Sequence, residues 1–118
     1  MKQTVSLKQN RDFRRIYSKG KSAVSSCLAV YCRKSRLPTN RLGITVGGKI
    51  GNAVVRNKVR RRIREIYRTN EDKLQPGYDV VIVARTRAVV TSYAALERSF
   101  LQLGDKLGFL RREEATKQ

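Results

Sequence analysis

The chain has 118 residues, 40% of them apolar, and carries a formal net charge of +18 from 27 basic and 9 acidic residues, with no histidine. That length allows one hydrophobic core and one domain, 1–118. The charge excludes a small acidic substrate as the main partner and calls for a polyanion, and the lack of histidine removes the commonest zinc ligand and general base.

Residues 1–9 are polar and read as a loose lead-in. Asn10 is a candidate N-cap for a helix over 11–19 that stops at Gly20. Phe13, Ile16 and Tyr17 share one face of it, with Arg14, Arg15 and Lys19 around them. These aromatics are either core or ligand-facing. Residues 22–34 alternate, as one strand or as two broken near Ser25-Ser26. Leu28, Val30 and Cys32 lie on one face; Cys27, Ala29, Tyr31 and Arg33 lie on the other. The first face reads as core. The second, an aromatic and an arginine among small residues, is either a half-open ligand surface or a solvated sheet face. Cys27 and Cys32, an odd number of residues apart, would point to opposite faces of a strand and are not expected to pair. Both read as small core residues in a reducing compartment.

A turn around Pro38 leads to a strand over 41–46, with Leu42, Ile44 and Val46 inward and Gly43 and Thr45 outward. Gly47-Gly48 ends it, the glycines allowing close backbone approach at the entry to the next helix. That helix is read over 52–69. Val55, Val59, Ile63, Ile66 and Tyr67 form one stripe, and Arg60, Arg64, Asn57, Arg68 and Arg61 lie beside it. A solvated basic face is the plain alternative. A helix needing only solubility would mix glutamates with its cations, because like charges on neighbouring turns repel. Here Glu65 is the first acid after Asp12, so a bound polyanion must offset the repulsion. Arginine in place of lysine suits bidentate contact with phosphate.

The stretch NEDKLQPG, 70–77, reads as a loop, and YDVVIVA, 78–84, as a central strand covered on both faces. Strands 41–46 and 78–84 then flank the basic helix as a parallel βαβ unit, right-handed by the general rule. Thr91 or Ser92 caps a last helix over 92–107 with a core stripe of Tyr93, Leu96, Phe100, Leu103 and Leu107. The tail from Arg111 is polar and reads as frayed. The expected class is α+β: a two-layer α-β sandwich with one mixed sheet.

No apolar run is long enough to span a bilayer, and the N-terminus lacks a signal-peptide core, so the expected location is cytoplasmic, away from membranes. Gly43 to Ile50 has Walker A spacing, but Ile50 stands where a magnesium-binding hydroxyl belongs and the first glycine falls inside a strand; a P-loop is rejected. The carboxylates do not cluster, so no catalytic or metal-binding residue is assigned, and any catalytic machinery must come from the partner. Phe13, Tyr17 and Tyr31 interleaved with Arg14, Arg15, Lys19 and Arg33 suit unpaired nucleotides, by base stacking and phosphate contact. The basic helix suits structured RNA. Two surfaces imply two RNA regions.

The stretch KIGNAVVRNKVRRRIR, Lys49 to Arg64, with Arg56-Asn57-Lys58 at the helix start, resembles the signature of the bacterial ribonuclease P protein family. Asp12-Phe13, the strand around Tyr31, Arg41-Leu-Gly-Ile and Tyr78-Asp-Val-Val-Ile-Val-Ala-Arg85 resemble that family in the same order, so the likeness covers nearly the whole chain. The resemblance implies a subunit that assists a catalytic RNA in removing the 5′ leader from precursor tRNA. Magnesium would be held mainly by the RNA subunit and substrate, with no small-molecule cofactor. It implies contact with the catalytic RNA through Lys49, Asn52, Arg56, Asn57, Lys58, Arg60, Arg61, Arg64 and Arg68, and with the leader through Phe13, Arg14, Tyr17, Tyr31 and Arg33. It also implies a left-handed βαβ crossover, against the general rule. One departure stands out: Gly47-Gly48 replace the basic or hydroxyl residues usual before Lys49, leaving only backbone amides for a phosphate there. The competing reading is a small basic ribosomal protein binding rRNA. A nonspecific DNA-binding protein is disfavoured by the absence of a helix-turn-helix pattern.

Overall fold

Strand β5 (Tyr78–Ala84) lies at the centre of the sheet, which explains its apolar run over 80–84. In the computed structural model, which describes residues 4–111, the remaining elements are β1 (Thr4–Ser6), α1 (Asn10–Lys19), β2 (Lys21–Val24), β3 (Leu28–Lys34), β4 (Asn40–Thr45), α2 (Ala53–Thr69) and α3 (Tyr93–Leu107). Short 3-10 turns occupy Gly48–Ile50, Glu71–Lys73 and Thr86–Val89. The sheet order is β1-β4-β5-β3-β2, with β5 parallel to β4 and antiparallel to β3. Val80 and Ile82 of β5 enter the main core with Val59, Ile63, Leu96 and Phe100 of α2 and α3. Val81 points the other way, into a small cluster with Leu7 and Ile16. Ile63 is 1% exposed; trimming such a side chain to alanine costs about 2–5 kcal/mol.

The hand of the β4–α2–β5 crossover follows from Leu42. For an L-residue on a strand drawn pointing up, with its side chain toward the viewer, the backbone carbonyl points right. The Leu42 side chain joins the α2 side of the sheet, and its carbonyl accepts from Leu7 N–H at 2.8 Å, just past β1. β1 is therefore to the right of β4, β5 to its left, and α2 in front. The crossover is left-handed, against the strong statistical rule.

Several local features differ from the sequence-based expectations. Residues 1–9 are not simply loose: Thr4–Ser6 pair in parallel with Asn40–Leu42. The Thr4 hydroxyl lies 3.0 Å from the Tyr67 hydroxyl and donates to Glu71 at 2.5 Å, which ties β1 to the end of α2. Residues 1–3, and the tail beyond Arg111 expected to fray, lie outside the described residues. Gln9, not Asn10, is the N-cap of α1, and it makes no side-chain cap bond. Gly20 ends α1 in extended conformation; its requirement is close approach, since a Cβ there would lie 2.5 Å from the Cys32 carbonyl oxygen. Asn52 and Ser92 cap α2 and α3 by accepting from Val55 N–H and Ala95 N–H. Tyr93, expected in the core, is 38% exposed in the first turn of α3. Cys27 falls in the turn before β3 rather than on its second face, so both cysteines enter the same core, unpaired. Burial pushes the Cys32 thiol up, partly opposed by Lys21. Among the described residues no helix is long and apolar enough to cross a membrane.

Candidate RNA interface

The strand register sets three rows of side chains on the α1 side of the sheet: Arg41–Asp79–Arg33, Gly43–Val81–Tyr31, and Thr45–Val83–Ala29. α1 crosses these strands. Its buried Ile16 sits over the sheet, with Phe13 and Tyr17 on one flank and Asp12, Arg15 and Lys19 on the other, as 100° per residue requires.

The aromatic flank is built by close packing. The Phe13 ring lies against Gly43, where a Cβ would come within 2.5 Å of it; glycine is needed in β4 for that contact. Tyr17 meets Tyr31 edge-on, with centroids 4.8 Å apart, and its hydroxyl hydrogen-bonds Thr45 at 3.1 Å. Phe13 and Tyr31 are half-buried and Tyr17 is exposed. The aromatics are thus part core, part surface. Thr45, Val83 and Ala29, all half-buried, floor the groove beside them. Alternation already groups Ala29 with Tyr31; sequence reasoning missed Thr45 and Val83 as groove-forming residues, and the usable signal for Val83 is the alternation of β5, which puts Val81 and Val83 on the face of Tyr31. Arg14 is exposed next to the groove.

Arg33 does not join the aromatics. It belongs to the first row, beyond the point where the end of α1 abuts the Cys32 backbone. In that row Arg41 holds Asp79 with two bonds, Nε–Oδ1 at 2.9 Å and Nη2–Oδ2 at 2.7 Å, and reaches Asp12 of α1 at 3.4 Å. The Asp79 side chain is 4% exposed. Arg41→Ala should strand that carboxylate and cost about 3 kcal/mol, lowering Tm by roughly 10 °C or more in a domain of this size. Replacing Arg41 and Asp79 together by leucine should recover most of the loss in thermal unfolding. A single variant as stable as the parent would contradict this role.

On α2 the stripe and the cationic face lie where the periodicity put them. Asn57, Lys58, Arg61 and Arg64 are exposed, as are Asn52 and, in the preceding turn, Lys49. Three arginines are not simple free cations. Arg60 is half-buried and donates to the Ile44 carbonyl at 2.9 Å. Arg68 is held by Glu65 one turn earlier, at 3.0 and 2.5 Å, which lowers the Glu65 carboxyl below its usual range. Arg56 is half-buried with its Nε lacking a hydrogen-bond partner among the described residues. A Cβ at Gly47 or Gly48 would meet open space, so crowding within the chain does not demand those glycines. Gly51, at φ +152, is the one whose backbone does.

The two surfaces adjoin. Arg60 and Arg64 of α2 line, with Phe13, Leu7 and Gly43, a cleft of about 130 Å³. No group of three or more His, Cys, Asp or Glu among the described residues could hold a metal ion.

A family model described as Ribonuclease P matches residues 1–108. The chain is 38% identical to the ribonuclease P protein component of Natranaerobius thermophilus, covering 95% of this chain and 97% of that one. It is 42% identical to that of Clostridium botulinum strain 657, covering 86% and 93%. Among solved structures, the RNase P protein of Staphylococcus aureus superposes with a TM-score of 0.82 at 32% identity, covering 90% of this chain and 97% of that one. The Thermotoga maritima protein superposes with a TM-score of 0.75 at 33% identity, covering 82% and 92%.

Proposed function

We propose the following division of labour for this chain, which belongs to the ribonuclease P protein family: α2 holds the RNA subunit, and the groove between α1 and the sheet holds the single-stranded leader of precursor tRNA. The family role is RNA binding and tRNA 5′ processing, in an endoribonuclease whose catalysis belongs to the RNA. Membership sets aside the ribosomal alternative. The chain works as one RNA-binding domain in the cytoplasm.

The observation that carries this reading is the junction at Phe13, Arg60 and Arg64, where an aromatic groove meets an arginine face. Stacking on Tyr31 and Phe13 holds unpaired bases with little regard to sequence. Leader contacts come from Phe13, Arg14, Tyr17 and Tyr31, with Arg33 farther along. RNA-subunit contacts come from Lys49, Asn52, Arg56, Asn57, Lys58, Arg60, Arg61, Arg64 and Arg68. Their charge offsets phosphate repulsion between catalytic RNA and substrate. Magnesium belongs to the RNA subunit and substrate. The carboxylates of this chain nearest the two surfaces do not fit a magnesium site, since Asp12, Asp79 and Glu65 are each engaged by arginine.

Salt dependence tests the α2 assignment. Arg60 and Arg68 reach the RNA with guanidinium groups already shared with Ile44 and Glu65, so the full phosphate charge falls to Lys49, Arg56, Lys58, Arg61 and Arg64. Five such cations predict a slope of log K against log salt near −4 to −5, at about −0.9 per phosphate. A slope near −1 in filter binding to the RNA subunit would reject this reading.

A further inference from the structure

The first row of the sheet opens into a second concavity, of about 390 Å³, lined by Arg15, Arg33, Lys34, Arg36, Arg41 and Asp79. Its only carboxylate among the described residues is already taken, because both oxygens of Asp79 accept from Arg41. Arg15, Arg33, Lys34 and Arg36 have no carboxylate partner among the described residues. Four uncompensated cations facing one hollow repel each other unless an anion enters. Among the described residues no aromatic lines it, so it offers charge to a backbone and no ring for a base to stack on.

Its place in the fold points to the occupant. α2 lies against the opposite side of the sheet, so an RNA docked there does not face this hollow. Arg15 is on the flank of α1 away from Phe13 and Tyr17, and the exposed Arg11 and Arg14 form a cationic ridge between them. An RNA strand leaving the aromatic groove over that ridge arrives at the hollow.

We propose that this basic concavity is a second phosphate site, which takes the backbone of the leader upstream of the nucleotides stacked on Tyr31. It rests on the reading of the aromatic groove as the leader site. Because it touches phosphates, its contribution depends on leader length and not on leader sequence.

The test uses reconstituted holoenzyme and a ladder of precursor tRNAs, from leaders that only fill the aromatic groove to longer ones. The variant is Arg15→Gln/Lys34→Gln/Arg36→Gln, three exposed side chains with no side-chain hydrogen bond among the described residues. Lys73→Gln/Arg98→Gln/Lys106→Gln removes equal charge elsewhere. With the parent protein, affinity rises as the leader lengthens past the groove. In the first triple variant that rise disappears and short-leader affinity is unchanged. The salt slope on long leaders also shrinks, by about 0.7 for each phosphate the hollow no longer neutralises. The control variant keeps the rise. Equal weakening at every leader length, weakened binding of the RNA subunit, or the same effect in the control would each overturn the proposal. Tyr31→Ala separates the two readings: unchanged affinity for short leaders would refute the groove, while the length-dependent increment still scores the hollow.

Discussion

Removing three arginines from α2, as Arg56→Ala/Arg61→Ala/Arg64→Ala, should weaken binding to the RNA subunit by about 10²–10³ at 0.1 M salt, since three phosphate contacts at about −0.9 each account for nearly three decades. The effect should fade as salt rises, with the slope less negative by about 3. Arg60 is deliberately left in place: its bond to the Ile44 carbonyl couples α2 to β4, so its removal would mix stability with binding. None of the three substituted side chains makes a hydrogen bond or ion pair among the described residues, and Arg61 and Arg64 are exposed. Thermal unfolding should therefore change little. Binding to RNA by filter retention or fluorescence anisotropy decides the matter. An affinity that falls equally at low and high salt would mean the arginines act through something other than phosphates.

Tyr31→Ala should weaken binding of precursor tRNA to the holoenzyme by about 5- to 150-fold, the equivalent of about 1–3 kcal/mol for one stacked base. Mature tRNA, which has no leader, should bind unchanged. Tyr31 is a better probe than Phe13, because Phe13 also packs on Gly43 and Tyr31 is the aromatic that sits on the open sheet face. Tyr31→Phe keeps the ring, and with it the edge contact with Tyr17, so it should retain most of the affinity. If Tyr31→Ala weakens precursor and mature tRNA alike, the groove does not hold the leader.

Much of this is legible in the sequence, for physical reasons that differ by element. α2 and α3 announce themselves because long amphipathic helices repeat their apolar residues many times. β5 is legible because a strand covered on both faces is apolar at nearly consecutive positions; Asp79 interrupts the run and is held by Arg41. β1 is not: three residues are too short for any period, and their strand pairing comes from docking on β4. The crossover hand is not legible from general rules, which favour the opposite; it depends on which edge of β4 faces β5, a tertiary fact that only the family resemblance anticipates.

The candidate site divides the same way. The helical period places the cationic face of α2 beside its stripe, but it cannot show that Arg60 finds the Ile44 carbonyl, across sixteen residues of sequence. The Arg68–Glu65 pair is readable from its i, i+3 spacing, a signal that the grouping of Arg68 with the free cations ignores. Arg33 and Tyr31 share a strand face, which is why alternation alone groups them. The position of α1 between them, and the row Arg33 forms with Asp79 and Arg41, depend on strand register that one chain's alternation does not encode.

The most direct measurement is reconstitution. This protein is mixed with a bacterial ribonuclease P RNA, and removal of the 5′ leader from precursor tRNA is followed at low magnesium, beside RNA alone and protein alone. The expected result is cleavage by the mixture where neither component cleaves by itself, with the RNA alone recovering only when magnesium is raised. Cleavage by the protein alone would place a catalytic site on this chain, and no gain from the mixture over RNA alone would contradict its role as the subunit that brings catalytic RNA and leader together.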